Sequence, residues 1–302
     1  MSELLRTKLT VHYANKPKAL DAVEFALGEG ETLSLIGPSG SGKSTLGLAL
    51  LGLIGLKGGK AEGEVWWRGR NLLALPEREW RQVRGREMAL VPQSPIASLN
   101  PALSLGGHFA DAWRSHAKGD WRGRALEALA AVSLPADDAF LKRYPAQLSV
   151  GQAQRLLVGL ALLHRPALLI ADEPTSALDS VTVAEVLDLF RQVNRDHGTA
   201  ILFISHDLMT VASLCQRVAI LEGGLLVEQG ETAALFAAPQ HTATQRLLRA
   251  IEHYRLPAVS PVQINVSIGA KPGGDAGAGG SWRGGGQFVE CEVPAAADPG
   301  LL

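Results

Sequence analysis

The residues "GPSGSGKST", Gly37 to Thr45, have the types and spacing to hold phosphate. They fit G-x-x-x-x-G-K-[ST], a loop whose glycines let backbone N–H groups approach phosphate oxygens without side-chain clash. Gly37, Gly40 and Gly42 serve that purpose, with Pro38, Ser39 and Ser41 between them. Lys43 reaches the β- and γ-phosphates as a point charge, and Ser44 ligates Mg2+ through its hydroxyl. A second run, "LLIADEP" (Leu168 to Pro174), ends an apolar stretch in two acids. Asp172 is placed to hold the Mg2+ hydration shell. Glu173 is placed to polarise an attacking water, the usual protein contribution to nucleotide hydrolysis. Standing alone, such a pair could equally cap a following helix; beside a phosphate loop the chemical reading prevails.

Three further side chains fit the same chemistry, each with an ordinary alternative. Gln93 in "ALVPQSPIASLNP" follows a buried strand and could complete the Mg2+ and water shell, or be a loop amide. His206 in "LFISHD" ends another strand and could contact a γ-phosphate oxygen, or be a hydrogen-bonded core histidine. Tyr13, ahead of the phosphate loop, could stack on a base, or simply pack. The stretch "YPAQLSVGQAQR", Tyr144 to Arg155, has no cysteine, histidine or acid, so it neither binds metal nor moves protons. Its Ser and Gly stand directly before the apolar run "LLVGLALLH". Free N–H groups at such a helix start, together with the helix dipole, suit an anion.

The elements that position these residues follow from the hydrophobic pattern. "KLTVHY" and "DAVEFAL" alternate like half-buried strands, while "ETLSLIG" is a short apolar strand entering the phosphate loop. "KSTLGLALLGLIGL" reads as the helix that follows. From about Pro95 to Arg165 the pattern is helical with loops. "ALLIADEP" and "TAILFISHD" are buried strands ending in polar residues, as at the C-terminal edge of a parallel sheet. "SVTVAEVLDLFRQVNRDHG" has helical spacing and a Gly stop. "RVAILEGGLLVEQG" reads as a hairpin turning at Gly223-Gly224, and "TATQRLLRAIEHY" as a last amphipathic helix. Strands alternating with helices predict an α/β fold with a parallel sheet, its ligand site at the strands' C-terminal ends. The Gly-rich stretch over 256–302 cannot bury enough apolar surface to offset its ordering entropy, and is expected to be a disordered tail.

Bulk properties narrow the class. The chain has 302 residues and a net charge of −1, which offers no electrostatic case for nucleic acid. Its two cysteines, Cys215 and Cys291, make neither a disulfide framework nor a metal site, and suit a reducing cytosol. "MSELLRTKLT" lacks a signal-peptide core, and no apolar run has the ~18–20 residues of a membrane helix.

Gly37–Thr45, Gln93, "LSVGQ", "LLIADEP", "SALD" (Ser176–Asp179) and His206 follow the order and approximate spacing of an ATP-binding-cassette (ABC) ATPase. "LSVGQ" resembles the signature "LSGGQ" that separates this family from other P-loop ATPases. The resemblance spans about Leu4 to Ile251. "EMALVPQ", "QSPIASLNP" and "PQHTATQRLLRAI" resemble, more narrowly, the oligopeptide, dipeptide and nickel importer branch.

The resemblance implies a RecA-like parallel-sheet core with an N-terminal antiparallel β subdomain and an inserted helical subdomain at about 95–165, within an ATP-binding domain over 1–255. It implies ATP and Mg2+ as ligands, and two cassettes paired head to tail. Ser149, Gly151 and Gln152, with Asp179, would then serve the ATP held by the partner's phosphate loop. It also implies membrane-spanning permease subunits contacted near Gln93, a separate solute-binding protein, and a place on the cytoplasmic face of the inner membrane. Two departures stand out. Val150 replaces the first signature Gly, a costly change if that position needs positive φ. Cys291 alone replaces the cysteine cluster common in peptide-importer tails, so no iron–sulfur site is expected. Two rival readings are weaker. A non-transport ABC ATPase acting on DNA or the ribosome usually has long coiled-coil insertions or two cassettes in one chain, and neither is in this sequence. A small-molecule P-loop kinase would have no use for the signature or "SALD".

Overall fold

The computed structural model describes residues 2–252 of the chain. The expected disordered tail over 256–302 and the end of the last expected helix lie outside these residues. Strands β1 (Glu3–Tyr13) and β2 (Lys16–Gly28) form a long hairpin, followed by β3 (Thr32–Ile36), α1 (Lys43–Leu50), β4 (Gly59–Trp67), β5 (Arg70–Asn71), α2 (Glu77–Val83) and β6 (Met88–Val91). Helices α3 (Leu105–Arg114), α4 (Arg122–Ala131), α5 (Asp138–Leu141) and α6 (Val150–Leu162) come next. The chain returns through β7 (Leu168–Asp172), α7 (Ser180–His197), β8 (Ala200–Ser205), α8 (Leu208–Leu214), β9 (Arg217–Glu222), β10 (Leu225–Glu231), α9 (Thr232–Ala237) and α10 (Thr242–Glu252).

Two sheets organise these elements. One is antiparallel, in the order β2-β1-β4-β5. The other runs β10-β9-β3-β8-β7-β6, parallel from β9 to β6, with β10 antiparallel at its edge. The alternation of β1 does what its sequence predicts: Leu5, Leu9 and Val11 are buried on one face. The central strands are apolar on both faces because both are covered. In β8, Ile201 and Phe203 join a cluster with α6 and α7, while Leu202 and Ile204 join a second with α1 and the antiparallel sheet. Phe203 meets Phe190 of α7 edge to face, with ring centroids 5.5 Å apart. Each such buried ring contributes roughly 1.5–3 kcal/mol. The first cluster continues through Phe109, Leu129, Phe140 and Leu156, which anchors the helical region α3–α6 to one face of the parallel sheet.

The structure departs from the sequence expectation in places. The helix after the phosphate loop stops at Leu50 instead of continuing through Leu56. Gly52 stops it: it adopts φ +62, and a Cβ there would meet the Trp80 ring at 2.8 Å. From α2, Arg84 Nε then donates to Leu51 O (2.6 Å) and Arg84 Nη2 to Gly52 O (3.2 Å), satisfying the carbonyls at the end of α1. The stretch 95–104 consists of turns, and the helices of that region begin at Leu105. The hairpin at Gly223-Gly224 is present, with Glu222 opposite Leu225 and both glycines at positive φ, the geometry of a two-residue turn.

Candidate functional site

The C-terminal ends of four neighbouring parallel strands converge. The phosphate loop leaves β3, Gln93 follows β6, Asp172 ends β7 with Glu173 next, and His206 follows β8. Within the loop, Gly42 has φ +110 and Gly40 φ +78, conformations that side chains rarely adopt. Gly37 is required for a different reason: a Cβ there would lie 2.0 Å from Leu221 O of β9.

Lys43 opens α1 and is buried. Its Nζ donates to Gly37 O (2.8 Å) and Pro38 O (3.1 Å), so the ammonium lies inside the curve of the loop. Burial lowers its pKa from the ordinary lysine value, and the nearby Glu173 and Asp172 carboxylates oppose that shift. Ser44 Oγ donates to Asp172 Oδ1 at 3.0 Å. Burial raises the pKa of Asp172; the Ser44 hydrogen bond and Lys43 pull it down, and Glu173 pushes it up.

Glu173 is held from two sides. Gln93 Nε2 donates to its Oε2 at 2.9 Å, and His206 Nδ1 lies 3.3 Å from its Oε1. Its backbone is strained at φ +46, although it precedes Pro174, a position normally extended. Three contacts hold that conformation. Glu173 N donates to Ile204 O at 2.9 Å, and Ser176 donates to Glu173 O through both its N–H (3.2 Å) and its hydroxyl (3.0 Å). A cavity of about 240 Å3 opens beside Glu173 and His206 and reaches Ser176, Leu178 and Asp207.

An oxygen-donor set of one carboxylate, one hydroxyl and one amide suits a hard cation such as Mg2+. That ion commonly takes one or two protein carboxylates and fills its remaining positions with water and substrate phosphate.

Other candidates sit apart from this cluster. Ser149 is the N-cap of α6: its Oγ accepts from Gln152 N (3.2 Å), and Gln152 Oε1 accepts from Ser149 N (3.1 Å). This reciprocal capping box is the local reason the helix begins there. Val150 is the first helical residue, outside the positive-φ positions, so the feared backbone cost of a β-branched residue does not arise. Gly151 faces α7, where a Cβ would meet Thr182 Cγ2 at 2.6 Å. Asp179 caps α7: the Thr182 hydroxyl donates to its Oδ2 (2.7 Å), and Thr182 N (3.0 Å) and Val181 N (3.1 Å) donate to its Oδ1, which together lower its pKa. Tyr13 ends β1 opposite Gly59, where a Cβ would lie 2.7 Å from its ring.

Sequence reasoning missed the hairpin's role. Gly224 N donates to Ser41 O (3.0 Å), and Asp21 N donates to Gly224 O (2.9 Å), tying the phosphate loop to β2 through the β9–β10 turn. The only sequence signal was the Gly-Gly pair itself.

A phosphate-cradling loop between strand and helix, with acids at the end of the adjoining strand set, defines a P-loop nucleotide hydrolase. The ABC transporter family pattern matches residues 20–176. The chain is 36% identical over 253 residues to the dipeptide transport ATP-binding protein DppD of Escherichia coli (strain K12), covering 82% of this chain and 77% of that one. It is 38% identical over 240 residues to the oligopeptide transport ATP-binding protein OppD of Bacillus subtilis (strain 168), covering 78% and 67%. Among solved structures, the ATP-binding cassette MJ0796, a post-hydrolysis dimer bound to ADP and Pi, superposes with a TM-score of 0.65 at 29% identity, over 76% of this chain and 98% of that one. The chain belongs to the ABC transporter family and is an ATPase subunit of that kind.

Proposed function

We propose that this chain is the ATP-hydrolysing subunit of an ABC importer for peptides or a related small solute. The relatives named above, dipeptide and oligopeptide transport proteins, support the cargo class. The observation that carries the chemistry is Glu173, fixed between Gln93 and His206 beside the Ser44–Asp172 pair.

In this reading the loop 37–45 wraps the phosphates, and Lys43 exchanges its carbonyl partners for phosphate oxygens. Ser44, Asp172 and Gln93 hold Mg2+, which when bound neutralises phosphate charge. Glu173 orients a water and accepts its proton as the water oxygen attacks the γ-phosphorus. The bond to the bridging oxygen breaks, and ADP leaves with the electron pair. Gln93 sets the carboxylate's direction, and His206 contacts a γ-phosphate oxygen. Tyr13 stacks on the base. Ser149, Gly151 and Gln152 offer the N-terminus of α6 to the ATP held by a partner cassette, with Asp179 close to that contact.

The partners are membrane-spanning permease subunits, a second cassette and, indirectly, a solute-binding protein, at the cytoplasmic face of the inner membrane. Among the described residues no helix is long and apolar enough to cross a membrane. ATP then closes the cassette pair and hydrolysis releases it.

The test is light scattering of a Glu173→Gln variant with ATP. The expected result is a dimer with ATP and a monomer without it. A variant that binds ATP but stays monomeric even when mixed with permease subunits and a second cassette would sink this reading.

A further inference from the structure

A second cavity, of about 410 Å3, lies at the other end of the parallel strands. Its walls include Glu87, Ala167 and Gly198, which immediately precede β6, β7 and β8 or lie within two residues of them. Three arginines line it: Arg68, Arg86 and Arg165. Among the described residues none of these guanidinium groups makes a short ion pair, although that of Arg68 lies over the Trp67 ring, 5.6 Å from its centroid. Arg68 reaches Glu29 only at 3.5 Å and Arg165 reaches Glu127 only at 3.7 Å. Arg86 has no carboxylate within ion-pair distance among the described residues. Two acids also line the cavity, and each is engaged by neighbours: Glu87 accepts from Trp67 Nε1 at 2.6 Å and lies 3.6 Å from Arg70, while Glu29, the partner of Arg68, accepts from Ser2 Oγ at 2.9 Å; the three guanidinium groups outnumber the two carboxylates.

The backbone adds an independent observation. Arg68 has φ +46 and Arg165 has φ +52. Arg68-Gly69 is the two-residue turn between β4 and β5, with Trp67 opposite Arg70, a position where Asn-Gly is the relaxed choice. Arg165 ends the helical run after α6, its N–H donating to Leu162 O at 2.8 Å, at a place where Gly is the relaxed choice. It also precedes Pro166, which disfavours it further. At both turns the chain tolerates a strained arginine where an unstrained residue would serve the fold, and both arginines face one cavity. Strain of this kind can collect at ligand sites; the other positive-φ residue that precedes a proline is Glu173, while Lys18, Ala22 and Ser133 adopt the same conformation away from either site.

We infer that this cavity is a second anion site, separate from the ATP site, that takes a small solute bearing a phosphoryl group of two or more negative charges. Guanidinium forks match phosphate oxygens two at a time, and a 410 Å3 space admits a small molecule. The phosphoryl group could come from a free polyphosphate ion or from a phosphate ester; the chemistry recognised is the same.

The backbone makes the test unusually clean. Arg165→Gly and Arg68→Asn relieve strain while removing charge, so stability and binding move in opposite directions. Full-length protein is saturated with ADP to occupy the phosphate loop, then titrated calorimetrically with inorganic pyrophosphate and, separately, with glycerol 3-phosphate. The expected result is one site for at least one probe. The Arg68→Asn/Arg165→Gly variant should weaken it about tenfold or more with Tm unchanged or raised. Arg86→Gln should weaken it as well, while Arg78→Gln, on exposed α2 outside the cavity, leaves it unchanged. Preferential binding of pyrophosphate identifies a free ion as the source, and preferential binding of the ester identifies an organic phosphate. No binding of either probe, binding undiminished in the double variant, or an equal loss in Arg78→Gln overturns the inference.

Discussion

Asp172 carries opposing demands in one side chain. Burial raises its pKa, so the folded protein favours the protonated form more than the unfolded chain does. A raised acid contributes stability below its unfolded pKa and loses it as pH rises through the folded value. At neutral pH the ionised carboxylate therefore costs stability in the nucleotide-free protein. Asp172→Asn is expected to raise Tm by a few degrees at neutral pH, with the gain shrinking on acidification toward the usual carboxylate range. The same variant should lose ATPase activity. A calorimetric melting series over pH checks the first effect. Glu173 shows what residue types alone could and could not reveal. Its place as an acid beside a phosphate loop was legible from spacing. Its positive φ and its clamp by Gln93 were not, because they depend on Ile204 and Ser176 arriving from other parts of the fold.

Among the elements, the end of α1 is held from outside by Arg84, whose side chain is only 20% exposed and lies 5.0 Å from the Trp80 ring centroid. Removing it leaves two carbonyls without their donors. Arg84→Ala is expected to cost about 1–3 kcal/mol, read as a lowered denaturant midpoint with unchanged m. The start of α6 supplies a second case. Val150 is 41% exposed and free of backbone strain, so any effect it has comes from side-chain bulk at the helix N-terminus. If the site it completes is weakened by that bulk, Val150→Gly raises turnover of the assembled transporter; unchanged turnover would discard the idea. Gly151→Ala should act the other way, because its methyl would strike Thr182 and push α6 from α7. A loss of ATP-dependent pairing, with ATP binding retained, is the expected readout.

Continuous apolar runs, long periodic stretches and glycine turns were the signals that made elements legible in the sequence. The phosphate loop, β3, β7, β8, α7 with its Gly198 stop, and the Gly223-Gly224 hairpin all follow from apolar runs and turn residues. The elements α2, α8 and α9, of seven, seven and six residues, were not legible. Too short to show a period, they owe their existence to tertiary contacts such as Trp80 against Gly52. Strand β4 escaped notice because its first half, "GKAEGE", is polar and mostly solvated, and its place in the sheet is set by pairing with β1.

At the scale of the whole molecule, one parallel sheet separates two apolar clusters and presents a different charged site at each end of its strands. In the proposed function the end carrying Asp172 and Glu173 serves nucleotide chemistry, and the opposite end carries the arginine cavity. β7 is five residues long, so the two ends are about 17 Å apart. The Gly224 bonds to Ser41 and Asp21 have a consequence for observation. They make the amide protons of Asp21 and Gly224 sentinels of the phosphate loop, though neither belongs to it. Their exchange with deuterium should slow when nucleotide stiffens the loop and quicken when it departs. Occupancy could then be read, residue by residue, from amides outside the phosphate loop.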